Sequence, residues 1–63
     1  MKIPKQEMIT ERYIYDGVES YIVTRNPFNK YTLYKIQEGN YEKLKVAEMP
    51  VSFKEIIKKD RSK

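Results

Sequence analysis

Three runs in this chain alternate apolar or aromatic residues with polar ones: Glu19 to Arg25, Tyr31 to Gln37 and Tyr41 to Ala47. A period of two is the signature of a strand with one face toward a core. A fourth run, from about Ile9 to Tyr15, precedes them. Turn-forming residues separate the four. Asp16-Gly17 predicts a two-residue type I′ hairpin, because both of its central positions need positive φ. Asn26-Pro27-Phe28-Asn29 predicts a four-residue type I turn, with proline setting φ and Asn29 taking the left-handed position. Glu38-Gly39-Asn40 predicts the third. The strands then run from about Ile9 to Tyr15, Val18 to Arg25, Lys30 to Gln37 and Tyr41 to Glu48. Connections this short make neighbours antiparallel, so the simplest sheet is a meander in the order 1-2-3-4.

After Pro50, which is placed to end the last strand, the period changes. Phe53, Ile56 and Ile57 fall on one helical face, with Lys54, Lys58 and Lys59 largely off it. Ser52 and Glu55 have the spacing of a capping box, and Val51 and Ile56 that of a hydrophobic staple. A helix is predicted from about Phe53 to Asp60, too short to persist unless its apolar face is docked. The fold class is therefore α+β: a four-stranded antiparallel meander with one short C-terminal helix packed on one face. The whole chain, 1–63, reads as one small domain, with a loose arm over 1–7, the meander over 8–48, the helix over 52–60 and a basic tail over 61–63.

Counting turn residues sorts the side chains by face, since a one-residue slip exchanges the two faces. With two residues in the first turn and four in the second, Tyr15 opposes Val18 and Ile22 opposes Leu33. An even third loop sets Lys35 against Glu42, whereas a three-residue loop would oppose Lys35 and Lys43. One face then collects Ile9, Tyr13, Tyr15, Val18, Ile22, Tyr31, Leu33, Leu44 and Val46, to be covered by the helix. The other collects Arg12, Ile14, Glu19, Tyr21, Val23, Thr32, Tyr34, Ile36, Tyr41, Lys43 and Lys45, and nothing else in the chain is assigned to cover it.

Composition narrows what such a molecule does. Sixty-three residues lie near the lower limit for an independently folding domain. The net charge of +4 resides in the ends: residues 1–5 carry +2 and residues 58–63 carry +3, while the body, 6–57, carries −1. A nucleic-acid-binding domain more often carries its excess within the folded body. The chain has no Cys and no His, so the strongest side-chain nucleophile and the commonest general base are missing, and no thiolate metal site exists. No Gly-rich phosphate loop is present, and Asp16, Glu38 and Glu42 lack EF-hand spacing. The expectation is a non-enzymatic protein without metal, cofactor or small-molecule ligand. No apolar run reaches membrane-spanning length, and the charged N-terminus does not read as a signal peptide. A cytoplasmic protein with no membrane partner is expected. The preference for lysine over arginine, with a single alanine, fits an AT-rich genome such as that of a low-GC bacterium or its phage.

The Tyr/Lys face is the candidate site. Tyr21, Val23, Tyr34, Ile36 and Tyr41, with Arg12, Lys43 and Lys45, make a half-apolar surface of the kind that anchors protein interfaces. The leading expectation is a small protein-binding or regulatory module whose partner is another protein or a second copy of itself. The alternative is a nucleic-acid-binding β protein that stacks bases on the same tyrosines and neutralises phosphates with the lysines and the basic tails. Phe28 is expected to tuck back onto the sheet. The open edges of the first and last strands also invite strand addition.

Overall fold

A computed structural model describes residues 5–48 and 52–62. Four strands, β1 (Met8–Tyr15), β2 (Val18–Arg25), β3 (Tyr31–Gln37) and β4 (Asn40–Ala47), form one antiparallel sheet in the order β1-β2-β3-β4. One helix, α1 (Lys54–Arg61), follows. The α+β meander is therefore the architecture. Two hairpins close as turn chemistry dictates. Tyr15 opposes Val18 across Asp16 and Gly17, at φ 53° and 76°, and Gln37 opposes Asn40 across Glu38 and Gly39, at φ 47° and 83°. Both are two-residue loops with positive φ at each position, as a type I′ turn requires. The third loop is thus even, and Lys35 does oppose Glu42.

The middle hairpin differs from the count made on sequence. The Asn26 N–H donates to the Lys30 carbonyl at 3.0 Å, and the Asn29 N–H to the Asn26 carbonyl at 3.0 Å. The Asn26 side-chain oxygen accepts from the Phe28 and Lys30 N–H groups, both at 2.9 Å. Three residues, Pro27-Phe28-Asn29, therefore form the loop between Asn26 and Lys30. Asn29 is left-handed, at φ 61°, and adds one residue after the turn, the usual three-residue hairpin. An odd loop replaces the expected even one. Val23 opposes Leu33, and Ile22 opposes Tyr34. The expected Ile22–Leu33 pair does not form, and Tyr21 and Val23 share a face with Leu33.

Register shifts in the strands change the parity further. Thr10 in β1, Ser20 in β2 and Leu44 in β4 each lack a directly opposed partner, as an extra residue does in a β-bulge. The bulge at Ser20 lets Tyr21 oppose Tyr13 while Glu19 opposes Ile14. The bulge at Leu44 leaves both Leu44 and Lys45 beside Leu33, and Val46 then opposes Thr32 instead of joining Leu33.

The helix docks on the Leu33 side. Tyr21, Val23, Leu33, Phe53 and Ile57 make the buried cluster, with Tyr13, Tyr15, Tyr31, Leu44, Ala47 and Ile56 packed around it. Phe53, Ile56 and Ile57 therefore face the sheet, as their spacing requires. Ile9, Val18 and Val46, expected beneath the helix, are exposed instead. Phe53, rather than Ser52, is the boundary residue; it is in the helical region at φ −87°, and no side chain caps the helix. Phe53, 1% exposed, is anchored in the core, and its carbonyl accepts the first helical bond from Ile57 N–H at 3.0 Å. The capping box at Ser52 does not form. Val51, Pro50 and residues 1–4 lie outside the described residues. At the C-terminus, Lys58, Lys59 and Arg61 stand in the last turn, where cations oppose the helix dipole.

Candidate interaction surface

The parity change takes the candidate face apart. Tyr21 and Val23 are each 2% exposed and lie under α1. Tyr21 Oη donates to Asp60 Oδ2 on the helix, and Lys35 Nζ reaches the same oxygen at 2.9 Å. Burial, reinforced by this hydrogen bond and the Asp60 charge, pushes the Tyr21 hydroxyl up to about 12. Arg61 sits 3.7 Å over the Tyr15 ring, which meets Tyr21 edge-on at 6.1 Å. These contacts line an open hollow of about 350 Å³ together with Ser20 and Ile36. Lys35 is paired with Asp60 and Arg61 is stacked on Tyr15, so the hollow reads as a latch between helix and sheet.

Tyr34 remains on the opposite face but is closed off, at 1% exposure. Its hydroxyl donates to Glu7 Oε1 at 2.9 Å, and Thr24 Oγ1 donates to the same atom at 2.5 Å. Residues 1–7 were expected to be a loose arm; Glu7 instead satisfies two hydroxyls of the sheet, where an unpaired buried group is costly. Burial first, then the bond and charge of Glu7, raise the Tyr34 hydroxyl to about 12. Tyr41 packs edge-on against Tyr34 at 6.2 Å and opposes Ile36; both are half-buried. Lys43 and Lys45 are exposed but separated by the Leu44 bulge, with Lys43 opposite Tyr34 and Lys45 opposite Leu33. Arg12 is exposed and pairs with Glu19 at 2.5 Å. Of the eight candidate residues, Arg12, Ile36, Tyr41 and Lys43 lie on the face opposite α1. Tyr21, Val23 and Lys45 do not, and Tyr34 is beneath Glu7.

Exposed apolar area collects elsewhere, along β1. Met8, Ile9 and Ile14 are 64%, 40% and 62% exposed, and Val18, across the first turn, is 63% exposed. The three β1 side chains stand on the edge strand next to β2. The opposite edge, β4, carries Glu42, Lys43 and Lys45 on exposed positions, the charge shielding usual for an open edge. Phe28, expected to tuck onto the sheet, is 82% exposed at the tip of the middle hairpin. The signal for β1 is present in the sequence: Met8 to Tyr15 holds one basic residue and no lysine, with Ile9 and Ile14 near its ends. Ile14 stands on the open face where its position in the strand put it; Ile9 was assigned to the face beneath the helix, and the Thr10 bulge turns it to the other side.

Among the described residues, no helix is long and apolar enough to cross a membrane, and no cluster of three or more carboxylates could hold a metal ion. No family model, curated protein or solved structure matches the chain.

Proposed function

We propose that this chain is a small, non-enzymatic protein-binding module and that its contact element is the β1 edge. The observation that supports this reading is the exposure of Met8, Ile9 and Ile14 on an edge strand, in a chain that buries Tyr21, Val23 and Leu33 with Phe53 and Ile57 of the helix segment and closes off Ile22 and Tyr34 on the other face. An open strand offers a row of unpaired N–H and C=O groups, and an extended partner segment adds to it through main-chain hydrogen bonds while its side chains meet the exposed apolar ones. The absence of His and Cys from the whole sequence supports binding over catalysis.

The nucleic-acid alternative loses its stacking platform. Tyr21 and Tyr34, the central rings in that reading, are 2% and 1% exposed with both hydroxyls engaged, and base stacking needs an open aromatic face.

Capture from the source cell with Ile14→Lys beside the wild type tests the proposal, with Lys43→Glu on the far edge as the control. Ile14 is exposed, so the charge leaves the core untouched. Loss of the captured protein with Ile14→Lys and its retention with Lys43→Glu is the expected result. Equal capture by both variants, or capture abolished by nuclease, overturns the assignment.

A further inference from the structure

The partner that best fits the β1 edge is a second copy of this chain. We propose that two chains pair β1 to β1, antiparallel, with Tyr13 on the two-fold axis, joining two four-stranded sheets into one of eight strands. The inference rests on the assignment of β1 as the contact element and adds the identity and register of the occupant.

Symmetry restricts the registers. Two antiparallel strands related by a two-fold axis perpendicular to the sheet must place some residue opposite itself, because directly opposed residues share a face and neighbours along a strand alternate. Centring on Glu11 opposes two carboxylates, and centring on Arg12 opposes two guanidinium groups, each a destabilising pair. Both of those registers also draw Thr10 into the ladder. Thr10 is the unpaired residue of the β1 bulge, with its hydroxyl turned inward to the Val23 carbonyl at 3.2 Å. A bulge interrupts pairing. Centring on Ile14 keeps only residues 13–15 of β1 in the ladder. Centring on Tyr13 pairs residues 11–15, leaves Thr10 outside and opposes no like charges.

That register also supplies complementary partners. Glu11 comes opposite the partner's Tyr15, and in each chain Arg61 lies 3.7 Å over the Tyr15 ring. An acidic side chain thus meets an aromatic ring capped by a cation, twice by symmetry. On the other face, Arg12 comes opposite the partner's Ile14. Arg12 keeps its ion pair with Glu19, and its aliphatic stem covers Ile14, which is 62% exposed in the single chain. The axis leaves both helices on the same side of the joined sheet.

Because the chain contains no Cys, single cysteines report the register directly. Residues opposed across an antiparallel pair lie within disulfide reach. Tyr13→Cys is expected to crosslink to its own copy at least tenfold faster than Arg12→Cys or Ile14→Cys under the same mild oxidation, with far-UV circular dichroism checking that each variant folds. Sedimentation of the wild type, which needs no substitution, should show a dimer whose population rises with concentration. Glu11→Arg should weaken it about tenfold by reversing both cross-strand pairs. A wild-type monomer up to millimolar concentration, or fastest crosslinking at position 12 or 14, overturns the proposal. A monomer whose capture of another protein is abolished by Ile14→Lys sinks self-pairing alone and leaves β1 as the contact element.

Discussion

Removing the Asp60 carboxylate should loosen the whole fold, because that group joins α1 to the sheet. Asp60 Oδ2 accepts from the Tyr21 hydroxyl and lies 2.9 Å from Lys35 Nζ. Asp60→Ala deletes a hydrogen bond to a charged acceptor, worth roughly 1.5–3 kcal/mol, and leaves the buried Tyr21 hydroxyl short of that acceptor. The Lys35 partner contributes less, since its side chain is 27% exposed and water takes over much of its solvation, so that pair adds no more than about 1 kcal/mol. The expected loss is about 2–3 kcal/mol. A domain of this length has on the order of 3–9 kcal/mol in total, so the midpoint of thermal unfolding should fall by about 10–20 °C. Urea unfolding followed by far-UV circular dichroism measures the loss. A double-mutant cycle with Tyr21→Phe then isolates the contact, with an expected coupling of about 1–2 kcal/mol. The cycle also tests the parity of the sheet. Were the helix docked on the Ile22 face, Tyr21 and Asp60 would lie on opposite sides and the coupling would vanish. A coupling below about 0.3 kcal/mol, or an Asp60→Ala variant as stable as the wild type, refutes the latch and the register behind it.

Alkaline pH should destabilise the fold through its buried tyrosines. The Tyr21 and Tyr34 hydroxyls are each raised to about 12 in the fold, against about 10 in an unfolded chain. Between those values the unfolded state releases protons that the native state keeps, so the stabilisation present below pH 10 is lost as pH rises toward 12; absorbance at 295 nm should show these tyrosines, with Tyr13, ionising late or together with unfolding, and their normal titration near 10 in a folded sample would refute the burial. At the middle hairpin, Asn29→Gly should change stability by no more than a few tenths of a kcal/mol, whereas Asn29→Val should cost about 1–2 kcal/mol, because φ is 61° there. Thermal melts of the two variants compare these directly, and equal stability would refute the left-handed loop.

Local signals carried a good deal of this architecture. The alternation of the strands, the two Gly-containing turns and the 3.6-residue spacing of Phe53, Ile56 and Ile57 required only neighbouring residues to read, and each is found in the structure. The capping box at Ser52 was a local signal that failed, because Phe53, anchored in the core, became the boundary of the helix. Positive φ at Asn29 was also legible, since asparagine tolerates that region. Its consequence for register was not: the same Asn29 closes either a four-residue turn or a three-residue loop, and the choice lies in whether Asn26 bonds Lys30. The bulges at Thr10, Ser20 and Leu44 have no composition of their own in this chain.

The candidate site depended on those unreadable choices. Because side chains alternate with period two, a middle loop one residue shorter than the four counted moved Tyr21 and Val23 from the open face to the core, and the bulges at Thr10 and Leu44 turned Ile9 and Val46 away from the helix. Glu7 was read as part of an arm because no short-range pattern links it to Tyr34, twenty-seven positions away. The sequence by itself determined that this chain makes four antiparallel strands and a docked helix, because period and turn chemistry act between near neighbours. Only the tertiary structure decided which face the helix covers, which tyrosines are closed off and which edge is left apolar, because parity accumulates over every loop and bulge and is resolved only when the sheet packs.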